Sequence, residues 1–418
     1  MEIPIFDAGW PIALILLGLV IYLVITWNHG YWKKRGVPYI KPLPILGNLK
    51  DSFLGKKSIG EVYSDLYWKF DGRRYAGIFA PIAPSLLIRD PELIKEILVK
   101  NFASFHDNTF ELDINADPMF GRNPFVLRGE RWKVSHLLNK NDCSGEFEAK
   151  ELCSRFTTDV VTTCAYGING NSIKNPDSEF RQAGREIIDQ GTFNSFKVFI
   201  AFLMPSIARI FKFRFISKRV EEFFITMVNE VMTYRKEKNV TRNDYIQHLI
   251  NIKNKAETFT DIDVAAQSTT FFLDGFETSA TVFSCTLYCL ATNPDVQTKL
   301  RDEVNRVIQE EGGELTYEGI HKMTYLDMVL SESLRLYTPL NFLTKLCTRS
   351  IQLPTSSGEE FTVEVGTPMI IPLYALHRDP KYFPDPETFN PDHFSEENKK
   401  NRHKYAYMPF GEGPRTCL

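Results

Sequence analysis

The chain has 418 residues, of which 49 are Lys or Arg and 52 are Asp or Glu, so its charges nearly balance. A protein whose main partner is a nucleic acid normally carries a clear basic excess, and this balance argues against that class. Hydrophobic residues make up 43% of the chain and aromatic residues 13%, which is sufficient for a large packed core. Because no internal repeat, low-complexity tract or central linker is evident, both one large globular unit and several domains stay open.

The seven cysteines indicate a reducing compartment. They form no Cys-x-x-Cys pair and no zinc-site spacing, and their odd number leaves at least one outside any disulfide. Most are expected to be small buried side chains. Only Cys417 has unusual neighbours, in the segment "FGEGPRTC".

The first predicted element is a membrane anchor within residues 1–30. The run from Pro11 to Trp27 contains no charged residue, and as a helix it would span roughly 26 Å, enough for a thin bilayer. A removable signal peptide is the alternative, but it normally has a basic start, whereas this chain begins with Glu2 and Asp7. The basic cluster at residues 33–35 follows the run, and the positive-inside rule then places the rest of the chain in the cytosol.

A proline-rich hinge is predicted over residues 31–48. Pro38, Pro42 and Pro44 cannot lie in a helix interior, so the chain is expected to leave the anchor as a stiff extended segment. Residues 49–418 are then expected to form one body in which helices dominate and strands are few.

An apolar stretch from Phe199 to Phe215 also contains Arg209, Lys212 and Arg214. This mixture is typical of a second contact with a membrane surface. An ordinary helix–loop–helix packed on the body explains the same pattern equally well, so both interpretations stay open.

The longest predicted helix begins near Thr260 or Asp261 and ends before Pro294. It is apolar on nearly every side over about 30 residues, which is typical of a buried central helix. Asp274 and Glu277 interrupt the apolar residues, so a second membrane span is excluded.

The centre of this helix reads "LDGFETS". Gly275 costs about 1 kcal/mol relative to alanine in a helix interior, and buried carboxylates cost free energy unless they are paired. One interpretation is a kink whose acids are satisfied. The other is a site where the backbone opens and where Glu277 and Thr278 handle protons.

Two later segments contain residues with possible chemistry. Glu332 and Arg335 in "ESLR" lie three apart on a predicted helix and share a face, which ordinarily means a surface ion pair.

The second of these segments is "FGEGPRTC". A Cys417 thiolate is a soft ligand for iron, Gly411 and Gly413 allow close approach of a flat cofactor, and Phe410 can pack against it. Arg415 can meet a carboxylate bidentately. The plainer interpretation is a glycine turn that ends in a buried cysteine.

Together, and in this order, these segments resemble the cytochrome P450 family, the haem-thiolate monooxygenases. "FGEGPRTC" is similar to the family's haem-binding loop and places Cys417 at the axial-ligand position. "DGFET" resembles the oxygen-activating stretch of the central helix, and "ESLR" matches the family's Glu-x-x-Arg. "NPDHF" resembles the segment that joins Glu332 and Arg335 in a triad, and "GERWK" resembles a helix whose tryptophan, here Trp132, touches a haem propionate. The anchor and hinge are similar to the microsomal type, and the sequence is most like insect detoxification members.

The resemblance implies a cytochrome P450-like fold, mainly α with a small β component (α+β). It implies haem b as cofactor, and NADPH as the electron source through NADPH-cytochrome reductase, with cytochrome b5 as a further partner. One atom of O₂ would enter an apolar organic substrate, on the cytosolic face of the endoplasmic reticulum membrane. The implied catalytic residues are Asp274, Glu277 and Thr278. The implied haem contacts are Phe410, Gly411, Gly413, Arg415, Cys417, Trp132, His136 and Lys345, and the implied structural residues are Glu332, Arg335 and His393.

The chain departs from the family's pattern at several places. His136, Lys345 and His393 stand where the family usually has arginine, which changes charge and hydrogen-bonding geometry. The segment after Trp132 is shorter than usual, and the chain ends one residue past Cys417. These features lead to the expectation of a fold that is incomplete at the C-terminus. They also leave an alternative function open, a non-catalytic variant that is anchored to the membrane and unable to hold haem stably.

Overall fold

The computed structural model describes residues 9–110, 117, 149–188, 191, 197, 200–201, 204–256, 258–354 and 360–417. In this part of the chain helices dominate and strands are few, so the predicted mainly α fold with a small β component is confirmed. The chain divides into two compact units. The first unit comprises Met1–His106 and Phe342–Ala375, and the second unit comprises Asp107–Asn341 and Leu376–Leu418.

The first unit contains the strands. Its helices are α1 (Gly9–Thr26), α2 (Tyr31–Lys34), α3 (Lys50–Phe53), α4 (Ile59–Lys69) and α5 (Pro91–Lys95). Its strands are β1 (Tyr75–Ala80), β2 (Ala83–Ile88), β3 (Leu343–Leu346), β4 (Ile351–Pro354), β5 (Glu360–Val363) and β6 (Pro368–Ile371).

Four of these strands form one sheet in the order β1-β2-β6-β3, and β4 pairs with β5 in a second sheet. In the first sheet β1 and β2 are antiparallel, β2 and β6 are parallel, and β3 and β6 are antiparallel. The register places Met369 between Leu86 and Lys345. All three side chains are buried, so the sheet forms the core of this unit.

Helix α1 coincides with most of the segment for which a membrane span is predicted. Within the residues that the structure describes, no helix is both long enough and apolar enough to cross a membrane, and the span is therefore not confirmed.

The predicted hinge is not extended throughout, because Tyr31–Lys34 forms the short helix α2. Trp32 on this helix is buried, and its indole N–H donates to the Ile78 carbonyl at 3.0 Å. A Cβ at Gly77 would lie 2.4 Å from the Trp32 ring, so a glycine is needed at that point of β1. Burial of this large side chain explains why the hinge turns back onto the sheet.

Helices α6 to α16 follow along the chain, most of them in the second unit. They are α6 (Ala149–Val161), α7 (Glu179–Ile188), α8 (Pro205–Ile210), α9 (Lys218–Lys238), α10 (Tyr245–Lys253), α11 (Asp261–Thr292), α12 (Pro294–Glu310), α13 (Tyr317–Lys322), α14 (Thr324–Leu336), α15 (Leu373–Leu376) and α16 (Glu396–Asn401).

Helix α11 is the predicted central helix, and its bounds agree with the sequence signals. The Asp263 carboxylate accepts hydrogen bonds from the Thr260 N–H at 2.8 Å and from the Thr260 hydroxyl at 2.6 Å, which satisfies the start of the helix. Phe272 and Phe276 are fully buried, in the cluster that also contains Phe224 of α9. This apolar face fixes α11 against its neighbours and thereby positions the residues of "DGFET".

Gly275 lies where α6 approaches α11 most closely. A Cβ at this position would lie 2.8 Å from Cγ2 of Val161. The Thr157 hydroxyl of α6 also donates to the Phe276 carbonyl at 2.8 Å. Helix α11 continues through Gly275 without interruption, so the glycine serves close helix packing rather than a break.

Candidate functional site

The segment from Phe410 to Cys417 folds into a compact turn. The Cys417 N–H donates to the Phe410 carbonyl at 2.8 Å, and the Thr416 N–H donates to the Gly413 carbonyl at 3.0 Å. Gly411 and Gly413 have φ angles of 71° and 80°, which residues with a side chain adopt only with strain. The Phe410 ring is 55% exposed and the Cys417 side chain is exposed as well. The turn therefore presents a thiol and an aromatic ring, in contrast to the buried cysteine of the plainer interpretation.

Arg415 lies inside this turn and points to a protein carboxylate. Its Nη2 lies 3.8 Å from Oδ1 of Asp107, and less than 10% of each side chain is exposed. Burial lowers the pKa of Arg415 to about 10, and the Asp107 carboxylate acts in the opposite direction. The guanidinium is thus a positive charge held close to Cys417 in the sequence and largely shielded from water.

On α11, Glu277 is paired with a cation from α6. Lys150 Nζ lies 2.7 Å from Oε1 of Glu277 and donates to the Thr281 hydroxyl at 2.6 Å. The Thr278 hydroxyl donates to the carbonyl of Asp274, one turn earlier. Both Glu277 and Thr278 are therefore held in defined positions on the helix.

Asp274 differs from Glu277 in its surroundings. Its side chain has accessible surface, yet the protein around it raises the pKa of its carboxyl to about 7 by desolvation. The two observations agree if the carboxyl faces a space enclosed by protein instead of bulk water. In the described part of the chain its carboxylate has neither a hydrogen bond nor an ion pair.

Glu332 and Arg335 on α14 form a fully buried ion pair, and the surface-pair interpretation is wrong. Arg335 Nε and Nη2 donate to the two carboxylate oxygens at 2.7 and 2.8 Å, and neither side chain has any exposed area. The same guanidinium donates to the carbonyls of His377, Pro386 and Thr388 at 2.9, 2.7 and 3.2 Å. Because each donor is satisfied, the charge is tolerated inside the unit.

His393 completes this cluster from the other side. Its Nδ1 lies 3.1 Å from Oε1 of Glu332, and its Nε2 lies 2.7 Å from the carbonyl of Pro384. Both ring nitrogens therefore face oxygen atoms, a carboxylate on one side and a backbone carbonyl on the other. The Asn390 N–H also donates to Glu332 at 2.8 Å. His393 thus binds the Glu332 carboxylate, as the resemblance implies for the residue at this position.

His377 is a buried titratable group that sequence reasoning did not identify. It has no exposed area, and its Nε2 accepts a hydrogen bond from the Met408 N–H at 3.1 Å. Burial lowers its pKa to about 3, assisted by the nearby charges of Arg335, Arg378 and Arg402. His377 therefore binds Arg335 through its backbone carbonyl and the backbone of Met408, nine residues before Cys417, through its imidazole.

One further predicted haem contact lies among the described residues. Lys345 lies on β3 of the first unit and is buried. Trp132 and His136 lie outside the described residues. Sequence reasoning also missed Lys150 and Asp107, because a lysine near a helix start and a lone aspartate give no local signal of a partner more than one hundred residues away.

Comparison with known proteins identifies the family. The family model described as Cytochrome P450 matches residues 134–418. Cytochrome P450 9e2 from Blattella germanica is 38% identical over 470 residues, which cover 98% of this chain and 88% of the relative. Probable cytochrome P450 6a13 from Drosophila melanogaster is 37% identical, over 96% of this chain and 86% of the relative. The chain belongs to the cytochrome P450 family.

As a cytochrome P450, the protein is by family a haem-thiolate monooxygenase. The donor set of the turn fits that cofactor: an exposed cysteine sulfur is the soft ligand that iron accepts, and the turn contains two glycines with positive φ, which add no side chain. Phe410, whose carbonyl accepts the Cys417 N–H, adds an exposed aromatic side chain to the same turn.

Proposed function

We propose that this cytochrome P450 inserts one oxygen atom of O₂ into an apolar organic substrate, a xenobiotic or an endogenous lipid or hormone, with electrons from NADPH. The observation that carries the proposal is the exposed Cys417 sulfur at the end of a turn closed by backbone hydrogen bonds. A sulfur held in this way is available as the axial ligand of iron.

The residues of the turn have distinct proposed roles around haem b. Cys417 binds the iron, Phe410 packs on the macrocycle, and Gly411 and Gly413 allow the backbone to approach it. Arg415 contributes positive charge near the ligand. When bound, the haem supplies the activation of O₂, which thiolate ligation promotes. The family resemblance supports Trp132, His136 and Lys345 as further contacts to the propionates.

Side chains of α11 are proposed to deliver the protons that the reaction of O₂ requires. Glu277, whose carboxylate is paired with Lys150 at 2.7 Å, holds a proton-exchanging group at a fixed point of the helix. The Thr278 hydroxyl orients a proton donor next to it. Asp274 lies one turn away with a carboxyl pKa near neutrality, which supports its participation in proton exchange.

The proposed partners are NADPH-cytochrome reductase and cytochrome b5, and the proposed location is the endoplasmic reticulum membrane, with the body on the cytosolic side. The uncharged run in residues 1–30 and the basic cluster that follows it support this location. Ile210 and Phe211 are 73% and 70% exposed and lie beside Arg209 and Lys212, a combination that favours contact with a membrane surface.

The experiment that tests the proposal uses the 418-residue chain expressed with haem supply. The protein is reduced with dithionite, CO is added, and the difference spectrum is recorded. We expect the Soret band of thiolate-ligated haem. The Cys417→Ser variant should lose this band, whereas Cys164→Ser, which changes a half-buried cysteine in the same unit, should keep it.

Absence of haem uptake by the natural chain would overturn the proposal and favour the non-catalytic alternative. The proposal also fails if Cys417→Ser retains the thiolate band, because another ligand would then hold the iron. Oxidation products are sought by incubating the loaded protein with a reductase, NADPH and a panel of apolar compounds.

A further inference from the structure

Asp274 and Glu277 are two carboxylates on one turn of α11, and they differ in whether a cation lies beside them. Glu277 has a cation at 2.7 Å in Lys150, which also donates to the Thr281 hydroxyl and the Glu277 carbonyl. In the described part of the chain Asp274 has no corresponding cation and no hydrogen-bond donor. The three groups therefore carry one net negative charge when all are ionised, and it resides on Asp274.

The position of Asp274 on the helix shows which face carries this charge. Residues four apart lie above one another on an α-helix, so Asp274 and Thr278 share a face. Both of these side chains have accessible surface, whereas Phe272 and Phe276 are fully buried on the other side of the helix. The carboxylate thus lies on the open face, in the same row as the Thr278 hydroxyl.

One neighbour of Asp274 on its face of α11 is an aromatic side chain. Phe271, one turn earlier, is stacked on the Tyr245 ring with centroids 4.4 Å apart, and both belong to the apolar cluster between α9, α10 and α11. The buried Tyr245 hydroxyl is near enough for the Asp274 charge to raise its pKa, so this hydroxyl stays neutral. A carboxylate that is shielded from water next to an aromatic wall is stabilised by an organic cation, whose charge pairs with it and whose carbon skeleton packs on the wall.

We propose that Asp274 binds the protonated nitrogen of an otherwise apolar substrate, so that the protein selects lipophilic amines over neutral molecules of the same shape. The inference rests on the proposed function, because it names the class of substrate for that site. Charge complementarity is the physical basis. A cation near Asp274 would give this carboxylate an ion pair similar to the one that Glu277 forms with Lys150. The apolar wall around Phe271 would accommodate the carbon skeleton.

The test compares two probes of the same shape on the haem-loaded chain. One is trimethyl(4-phenylbutyl)ammonium, whose charge does not depend on pH and whose nitrogen has no lone pair for iron. The other is its carbon isostere, (5,5-dimethylhexyl)benzene. Equilibrium dialysis gives both dissociation constants without any turnover. We expect the natural chain to bind the cation about tenfold more tightly than the isostere.

The matched variants are Asp274→Asn, Asp274→Glu and Asp261→Asn. Asp274→Asn should remove the preference for the cation and Asp274→Glu should keep it. Asp261→Asn should leave it unchanged, because Asp261 is a carboxylate of the same helix paired with Lys253 and about 20 Å away along the axis.

Equal affinity of the natural chain for the two probes would overturn the inference, whatever the variants do. So would a preference for the cation that persists in Asp274→Asn. The CO difference spectrum of each sample separates these outcomes from failure of the proposed function, since a protein can show the thiolate band and still lack any preference for a cation.

Discussion

His393 Nδ1 lies 3.1 Å from Oε1 of Glu332, while Arg335 holds both oxygens of the same carboxylate. Three arginines, Arg335, Arg378 and Arg402, lie close enough to affect His377. Glu332 pairs with Arg335, and Glu387 lies 3.4 Å from Arg378. The Glu332 carboxylate therefore compensates the fully buried charge of Arg335 inside the second unit.

The first prediction concerns Glu332→Gln. This change leaves the fully buried Arg335 without its counter-charge, and breaking a buried pair in this way costs about 3–5 kcal/mol. We expect urea unfolding to show a loss of that size, or no soluble protein at all. Glu310→Gln is the control, because Glu310 forms a half-exposed pair with Arg306 and should change the free energy by less than about 1 kcal/mol. Equal effects of the two variants would contradict the prediction.

The second prediction concerns stability at acid pH and His377. The pKa of this residue is lowered to about 3 in the folded protein, against 6.5 when exposed. The unfolded chain therefore takes up a proton below about pH 6.5 that the folded chain refuses, and the free energy of unfolding falls as the pH is lowered from there. His377→Gln keeps an acceptor for the Met408 N–H and removes the titration.

The measurement is the free energy of unfolding at pH 7.5 and at pH 5. We expect the natural chain to lose more stability between these two values than His377→Gln does. His321→Gln is the control, since His321 is exposed and the variant should follow the natural chain. An identical acid loss in the natural chain and in His377→Gln would exclude His377 as its source.

The third prediction has the opposite sign and concerns Asp274. Its pKa is raised from 3.8 to about 7, so between these values the unfolded chain releases a proton that the folded chain retains. The free energy of unfolding then falls as the pH rises through this window, and it stays lower above pH 7. Asp274→Asn should accordingly raise the midpoint of thermal unfolding at pH 8 relative to the natural chain and have little effect at pH 4.5. A gain of the same size at both pH values would show that ionisation is not the cause.

The fourth prediction concerns the contact between Gly275 and Val161. Gly275→Ala improves helix propensity by about 1 kcal/mol, but the added methyl meets Val161 at 2.8 Å, and overpacking costs about 1–3 kcal/mol. We expect a net destabilisation of the natural chain. In a Val161→Ala background the same substitution should be neutral or stabilising, so the two changes are coupled. Additive effects in this double-mutant cycle would mean that the helices move apart easily.

Sequence reasoning predicted those parts of the fold that depend on local patterns. The central helix has its start at Thr260 and its end before Pro294, because a cap and a proline are local signals. The pairing of Glu332 with Arg335 follows from helical spacing alone. The complete burial of this pair does not follow from spacing, because it depends on backbone carbonyls that lie 42 to 53 residues beyond Arg335.

The site was predicted through family motifs where they exist and missed elsewhere. Cys417, Glu277 and Thr278 belong to recognisable segments, whereas Lys150 is 127 residues from Glu277 and belongs to none. Asp107 and His377 are similar cases, since their roles arise from packing against distant residues. Propensity and spacing carry no information on such contacts.

The guanidinium of Arg335 also sets an order of events during synthesis. Its acceptors at His377, Pro386 and Thr388 lie 42, 51 and 53 residues further along the chain, so they leave the ribosome well after Arg335. Until then the Arg335 guanidinium, which is buried in the folded protein, has only Glu332 as a partner. The apolar face of α14 is also exposed to water during this time. Nascent chains that pause within this stretch are thus expected to bind chaperones and to be cleaved by proteases, and the pause site rather than the finished fold would decide the yield.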